Sequence, residues 1–283
     1  MAYNFKDILL RMDSFRHRNY EQALMETFLK LDELLKNEKV NQFLYDINFS
    51  GETKYENYQS SQSIKSASRN RTLSKDNYNI VTIKYQKNYI NIDLNETTSG
   101  MEEDYCDIKV AKEMGTTANI LLINNNNLYC ANCGDSLSVM YRNGQAIKLN
   151  QEHKTTLKSE YERITKCGGH IINNRIEGKL NLTRAIGDLE FKESLNLKCY
   201  DQSVIASPEI TKIKNIEGIE FIIMGCDGLW DCVEPQKLCE TISRRIKENV
   251  KLSDIIGDIF DTILSKSNNS KKYTYLTYSS DWN

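Results

Sequence analysis

Three aspartates of the sequence stand next to glycine where an apolar segment gives way to polar residues. Asp135 and Asp188 each follow a glycine, and Asp227 precedes Gly228. Carboxylates on separate loops are oxygen ligands that hard cations such as Mg²⁺ and Mn²⁺ accept, usually with several waters retained. An Asp beside a glycine is also an ordinary turn, and Asp227 has the alternative role of capping a short helix. The sequence therefore supports two interpretations, a cation site or plain turns and caps.

The segment that carries Asp227 predicts a buried strand. Residues 221–225 are continuously apolar (FIIMG) and are followed by turn-forming residues. An apolar run of this length favours a strand that is buried on both faces. Such a strand delivers Asp227 at its C-terminal end, with a second carboxylate at Asp231.

The composition narrows the class of protein. The chain has 283 residues, of which 40% are hydrophobic and 27% charged, with a formal net charge of −2. A charge near zero gives no argument for a nucleic acid or an anionic membrane as the partner. No run reaches the roughly 18 apolar residues that span a bilayer, and the first residues lack the layout of a signal peptide. We expect an intracellular protein in a reducing compartment, cytoplasmic or cytoskeletal.

Eight cysteines raise the question of a zinc site or a disulfide framework. Cys130 and Cys133 have a metal-like spacing, but no second Cys or His pair accompanies them. Alternation along a strand places these two thiols on opposite faces, whereas a structural zinc site needs four converging ligands. Reduced thiols are therefore expected.

Helical and strand patterns are grouped along the chain. Leu24, Phe28, Leu31 and Leu35 share one helical face, preceded by a capping pair at Asn19. From residue 115 onward short apolar segments predict strands, with an Asn-Gly hairpin turn at residues 143–144. Two further helices are predicted near the end, at Pro235 and after Ser253, the second with Ile256, Ile259 and Ile263 facing inward. Central strands with flanking helices predict an α+β layered fold.

Residues 45–112 are expected to form a peripheral insertion in a single domain that covers residues 1–283. Alternation at Val81–Tyr85 and Ile90–Leu94 predicts a hairpin within it. Long segments of this kind are either functional or plain surface excursions, and both interpretations stay open.

Several short motifs follow one another in a recognisable order. The run at residues 128–136 (LYCANCGDS) resembles a hallmark of the metal-dependent PPM (type-2C) serine/threonine protein phosphatases. The further matching motifs, in the family's order, are RNG at 142–144, EHK at 152–154, ERI at 162–164 with glycines 168–169, LTRAIGD at 182–188, ASPE at 206–209 and CDGLWD at 226–231, with GTTA at 115–118 before them.

The resemblance implies a fold and a chemistry. The family fold is two antiparallel β-sheets packed face to face with helices outside, an αββα sandwich. The family hydrolyses phosphoserine and phosphothreonine with a water bridging two Mg²⁺ or Mn²⁺ ions, since the metals lower the pKa of that water and neutralise the phosphoryl oxygens. The metal-site residues that the resemblance implies are Asp227, Gly228, Asp135 and Asp281.

Departures from the family pattern shape the functional prediction. The resemblance implies an arginine, a Glu-Asp pair and an Asp-Gly-His-Gly-Gly turn before the first helix, and neither motif is found in the 283 residues. Asp281 is followed by Trp282 rather than by the family's Asn and final strand. Leu137 stands where the family usually has Arg, and Thr155 where it usually has Pro. We therefore expect a fold that is incomplete at both ends, and no catalytic residue is assigned.

Two functional hypotheses result. The first is a pseudophosphatase, a binding or structural subunit of a larger assembly that contacts protein partners through residues 45–112 or an exposed sheet edge. The alternative is an active Mg²⁺- or Mn²⁺-dependent phosphatase that acts on phosphoproteins and whose recorded start is wrong. If metal is retained, we expect Mg²⁺ or Mn²⁺.

Overall fold

The computed structural model describes residues 2–37, 40–41, 78–81 and 110–266. The helices are α1 (Ala2–Arg11), α2 (Asp13–Arg16), α3 (Tyr20–Leu34), α4 (Val110–Glu113), α5 (Lys158–Lys166), α6 (Asp227–Trp230), α7 (Pro235–Lys247) and α8 (Leu252–Lys266), with a 3₁₀ turn at Leu189–Lys192. The strands are β1 (Tyr78–Val81), β2 (Gly115–Thr116), β3 (Ala118–Asn124), β4 (Asn127–Cys133), β5 (Leu137–Arg142), β6 (Gln145–Lys148), β7 (Ile171–Ile172), β8 (Arg175–Ile176), β9 (Ile186–Gly187), β10 (Glu209–Lys214) and β11 (Ile219–Gly225).

Two antiparallel sheets form the centre of the fold. The first sheet has the strand order β1-β3-β4-β10, and the second has the order β11-β5-β6. Their facing sides share one apolar cluster, with Leu121 and Leu128 from the first sheet and Met140 and Met224 from the second. This packing confirms the α+β sandwich that the sequence predicts.

Helices cover the outer side of each sheet. Helices α1 to α3 pack on the first sheet through Leu24, Phe28 and their neighbours, and the side chain of Asn19 accepts a hydrogen bond from the Gln22 amide at 3.3 Å. Helices α7 and α8 pack on the outer face of the second sheet. The layer order is therefore helix, sheet, sheet, helix, as the family resemblance implies. Among the described helices, none is long and apolar enough to span a bilayer.

The predictions for the two thiols and for the hairpin turn are confirmed, whereas one residue of the predicted buried face of α8 is wrong. Cys130 lies in the core between the sheets and Cys133 under the N-terminal helices, so the two thiols face opposite ways as predicted. The Asn143-Gly144 turn has positive φ at both residues, which joins β5 to β6 as a tight hairpin. In α8, however, the fully buried residue is Ile255, and the predicted Ile256 is half-buried.

Asn41, which precedes the 45–112 segment, contacts Ala111 near the end of that segment. The side-chain oxygen of Asn41 accepts a hydrogen bond from the amide of Ala111 at 3.0 Å, and both residues are buried. Strand β1, within the segment, pairs antiparallel with β3, with Val81 opposite Leu121. Apart from β1 and residues 110–112, the segment lies outside the described residues, and so does the remainder of the predicted hairpin.

Candidate functional site

The strand register brings two of the predicted metal ligands to the same end of the sandwich. Gly225, at the end of β11, pairs with Leu137, at the start of β5. Asp227 follows Gly225 by two residues, and Asp135 precedes Leu137 by two residues. Antiparallel pairing therefore places both carboxylates beyond the same end of the β5–β11 strand pair.

Asp227 lies in the first turn of the short helix α6. The cap position itself is occupied by Cys226, so the alternative in which Asp227 is the N-cap is wrong by one residue. Asp227 is half-buried and Gly228 is buried. The indole of Trp230 donates to the carbonyl oxygens of both Leu137 and Gly225 at 3.0 Å, which fixes the helix against the two strand ends.

Asp135 lies in a turn whose backbone requires glycine. Gly134 has a φ of +115°, and a Cβ there would lie 2.3 Å from the methyl carbon of Thr117. Asp135 is only 7% exposed, and one of its carboxylate oxygens accepts a hydrogen bond from the ammonium group of Lys154. The carboxylate is therefore already paired with a positive charge of the protein itself.

A buried histidine is hydrogen-bonded to the same turn. His153 is fully buried, and its Nδ1 lies 3.1 Å from the Gly134 amide, which donates to it, while the His153 amide donates to the Gly134 carbonyl at 3.0 Å. Its Nε2 lies 3.2 Å from a carboxylate oxygen of Glu209. The hydrogen bond from His153 lowers the pKa of Glu209 below its ordinary value. His153 therefore links the Gly134 backbone to the start of β10.

A second buried carboxylate, that of Glu160, lies on α5 and contacts the 182–188 segment. Glu160 is 2% exposed and accepts from Arg184 at 2.6 and 3.1 Å, from Arg163 at 2.8 Å and from the Thr183 hydroxyl at 2.6 Å. Burial alone would raise the pKa of Glu160, but the hydrogen bond from Arg184 and the charges of both arginines bring it below the ordinary value. The Nε of Arg163 is buried and lacks a hydrogen-bond partner among the described residues.

Asp188, the third loop aspartate, is held differently. It has the left-handed φ of +48°, and its amide donates to the Met114 carbonyl at 2.9 Å. Its carboxylate packs against Gly115, where a Cβ would approach it to 2.1 Å, and burial raises the pKa of Asp188. The preceding Gly187 amide donates to the buried Asp32 of α3 at 2.9 Å. This loop is therefore tied to the N-terminal helices.

The described donors do not make a complete divalent-metal site. Carboxylate oxygens suit Mg²⁺ and Mn²⁺ chemically, but within residues 2–37, 40–41, 78–81 and 110–266 no group of three or more His, Cys, Asp or Glu side chains could hold an ion. Asp135 is paired with Lys154, and Asp281 lies outside the described residues. The placement of Asp135, Asp227 and Gly228 as metal residues stays a prediction, and we derive no reaction step through a metal.

A cavity of about 430 Å³ opens beside the Asp135 turn. It lies where the edge strands β10 and β6 of the two sheets come together, and Lys154 and Glu209 form part of its wall. Its remaining lining residues are Leu137, Lys148, Leu149, Asn150, Gln151, Glu152, Thr156, Leu157 and Thr211.

Comparison with known proteins identifies the family. The protein-family model described as Protein phosphatase 2C matches residues 11–271. The chain belongs to this family. A probable protein phosphatase 2C 3 of Paramecium tetraurelia is 30% identical over 267 residues, which cover 93% of this chain and 70% of that protein. The family that the ordered motifs predict is confirmed.

Other relatives match only part of their length. The probable protein phosphatase 2C 11 of rice (Oryza sativa subsp. japonica) is 43% identical over 153 residues, which cover 54% of this chain and 42% of that protein. The chain thus spans less than half the length of this relative. The crystal structure of serine-threonine phosphatase 2C from Toxoplasma gondii aligns with a TM-score of 0.56 at 14% identity, over 98% of this chain and 74% of that chain, and this likeness supports the fold alone.

The sequence alone did not assign the residues that hold the Asp135 turn. The EHK and ASPE motifs were matched to the family without roles, yet they supply His153, Lys154 and Glu209, which meet around one turn. The ERI and LTRAIGD motifs likewise supply the two arginines that meet at Glu160. The available signal was the presence of charged residues inside otherwise matched motifs.

Proposed function

We propose that this chain is a protein phosphatase 2C domain that works as a binding or structural module, a pseudophosphatase, in a larger assembly. The observation that carries the proposal is the buried Leu137, at a position where the family usually has Arg, and the ion pair between Asp135 and Lys154 accompanies it. A carboxylate that resembles a metal ligand of the family is neutralised by a lysine of the same chain. An internal ammonium group gives the turn its countercharge without a bound ion.

Leu137 carries the argument because it departs from the family pattern. It occupies the position where the family usually has Arg, and its side chain is 2% exposed within the core between the second sheet and helices α7 and α8. A buried leucine stabilises packing and offers no charge to a phosphate group. The position therefore supports a structural role at this end of the sheet.

For the partner, we propose a protein that contacts residues 45–112. The pairing of β1 with β3 and the hydrogen bond between Asn41 and Ala111 support a segment that is attached to the sandwich at both ends and along one strand. We propose that this segment supplies the contact with the partner.

The alternative is an active Mg²⁺- or Mn²⁺-dependent protein serine/threonine phosphatase. The strand register favours this alternative, because Asp135 and Asp227 lie beyond the same end of the β5–β11 strand pair. The named relatives from rice and Paramecium are described as probable protein phosphatases 2C, and the activity comes to this chain only as a proposal.

A phosphopeptide hydrolysis assay decides between the two proposals. The natively purified protein is assayed with Mn²⁺, beside Asp227→Ala as the test variant and Glu162→Gln as a surface control. We expect no difference between the wild type and Asp227→Ala. Phosphate release that is lost in Asp227→Ala and kept in Glu162→Gln overturns the pseudophosphatase proposal in favour of the enzyme.

A further inference from the structure

The two strands that border the cavity, β6 and β10, differ in how their outer edges are covered. The amide of Ala146 in β6 donates to the side-chain oxygen of Gln236 at 2.8 Å, and the side-chain amide of Gln236 donates to the Gly144 carbonyl at 3.0 Å. Gln236 thus occupies edge groups that would otherwise attract another strand. Strand β10 pairs with β4 on one side, and no strand among the described residues pairs with its other side.

The register of β10 shows which of its backbone groups point away from β4. Just beyond the strand, the amide of Asn215 donates to the carbonyl of Asn126 at 2.8 Å, and the same register continues along β10. In an antiparallel pair, residues that bond to the neighbouring strand alternate with residues whose backbone groups face outward. The amide and carbonyl groups of Ile210, Lys212 and Lys214 therefore face outward.

The side chains of β10 divide between two faces of the first sheet. The ammonium group of Lys212 lies 5.0 Å from the ring centre of Tyr129, which belongs to the core beneath the N-terminal helices. Glu209 and Thr211 line the cavity on the other face. A strand added along this edge would therefore place every second side chain beside Lys212 and Lys214, and the side chains between them next to the cavity.

The charges on this edge indicate what kind of strand can pair with it. Lys212 and Lys214 are both exposed. A second copy of β10, paired antiparallel about Lys212, would set one lysine directly against another, and like charges in that position destabilise a strand pair. Acidic side chains at the same positions stabilise it. The edge therefore favours an acidic strand of another protein over a copy of itself.

We propose that the outer edge of β10 binds an extended acidic segment of a partner protein by antiparallel strand addition. Hydrogen bonds to the backbone of Ile210, Lys212 and Lys214 supply affinity, and alternate side chains of the segment supply specificity. Acidic side chains lie beside the two lysines, and the apolar side chains between them enter the cavity, whose wall includes Leu149 and Leu157. The proposal rests on the binding role proposed above and adds a second contact with the partner chemistry that it selects.

Isothermal titration of the full chain with a synthetic peptide tests the strand addition. The peptide is as long as β10 and alternates glutamate with valine, and two further forms carry N-methyl groups on either the glutamate or the valine amides. Only the glutamate amides face β10 in the antiparallel pair, so methylation there should abolish binding, whereas methylation of the valine amides should leave it intact. Equal binding by the two methylated forms overturns the inference, and so does a lack of binding by the unmethylated peptide.

Charge reversal tests the choice of an acidic segment. The double variant Lys212→Glu/Lys214→Glu should bind the glutamate peptide about tenfold more weakly than the wild type, and it should bind a peptide with lysine in place of glutamate more tightly than the wild type does. Lys247→Glu, at an exposed lysine of α7, is the matched control and should bind both peptides as the wild type does. Unchanged affinities in the double variant contradict the proposal.

The methylated peptides need no protein variant, so they decide the question even if the double variant fails to fold. The proposed function is judged by a different measurement, phosphopeptide hydrolysis by the wild type and Asp227→Ala. Peptide binding and phosphate release can therefore fail independently of each other.

Discussion

Two buried carboxylates of this fold are neutralised by cations in contrasting ways. Glu160 is held by two arginines and a hydroxyl at four short distances, and it is 2% exposed. Asp135 is paired with a single lysine that keeps 30% of its side-chain surface exposed. The Glu160 group lies between α5 and the 182–188 segment, whereas Asp135 lies at the open end of the sheets.

The difference lies in the number and type of the cationic partners and in their exposure to solvent. The planar guanidinium fork of arginine matches a carboxylate with two parallel hydrogen bonds, and it loses little conformational entropy for each bond formed. A lysine gives a point charge without a fixed direction. We therefore expect the ion pairs of Glu160 to contribute more to stability than the ion pair of Asp135.

The largest expected effect is at Glu160. Glu160→Gln keeps the size of the side chain but leaves Arg184 and Arg163 with an uncompensated buried charge. Loss of one partner of a buried ion pair costs about 3–5 kcal/mol, so the free energy of unfolding measured in urea should fall by that amount. Glu162→Gln is the matched control, because its ion pair with Lys158 is exposed. Equal losses in both variants would show that the Glu160 cluster has no special role in stability.

The second largest loss of stability is expected from a change in the backbone of the Asp135 turn. Gly134→Ala places a Cβ 2.3 Å from Thr117 at a φ of +115°, which strains the turn. A non-glycine residue held in such a conformation costs about 1–3 kcal/mol. Gly144→Ala, also at positive φ but with open space around it, is the control for the conformational part alone. Urea unfolding gives the loss of unfolding free energy in each variant, and the difference between the two losses is the steric cost at Gly134. A smaller loss for Gly134→Ala than for Gly144→Ala contradicts the prediction.

The smallest loss of stability is expected at Lys154. Lys154→Met leaves Asp135 without its countercharge, but Lys154 keeps 30% of its side-chain surface exposed, so the lost ion pair was already weakened by water and the free energy of unfolding should fall less than for Glu160→Gln. The loss should be well below that of Glu160→Gln in the same urea titration. A loss of equal size would mean that the two carboxylates are held alike, and the contrast between them would fail.

The comparison also predicts a pH dependence for the Glu160 cluster. The folded-state pKa of Glu160 is below its ordinary value of 4.5, since the two arginines outweigh burial. Its stabilising contribution is therefore complete above pH 4.5 and is lost as the pH falls through the lowered pKa. The difference in unfolding free energy between the wild type and Glu160→Gln should shrink below pH 4.5. A difference that stays constant from pH 7 to pH 3 would refute this assignment.

Sequence patterns were sufficient for the layers of the fold. Apolar alternation and the Asn143-Gly144 turn predicted the sheets, because both signals depend on neighbouring residues alone. The inward face of α8 was misplaced by one residue, since Ile256 and Ile255 both fit a helical repeat with Ile259 and Ile263. Only the packing against the second sheet selects Ile255.

The candidate site was predicted in part. Aspartates next to glycine at strand ends indicated Asp135 and Asp227, and the register brings both to one end of the second sheet. The pairing of Asp135 with Lys154 joins residues 19 positions apart, and that of His153 with Glu209 spans 56 positions. Such pairs depend on how β4, β5 and β10 are arranged, and a local pattern carries no information about that arrangement.

The hydrogen bond between Asn41 and Ala111 has a consequence for how this family member can evolve. It joins two residues that are 70 positions apart in the sequence, and β1, between them, pairs with β3. The entropy of closing a flexible loop grows only with the logarithm of its length, and doubling the length costs about 0.6 kcal/mol. Insertions between Asn41 and β1, or between β1 and Ala111, should therefore cost little unfolding free energy, and a reporter domain spliced into either stretch should leave the two sheets assembled.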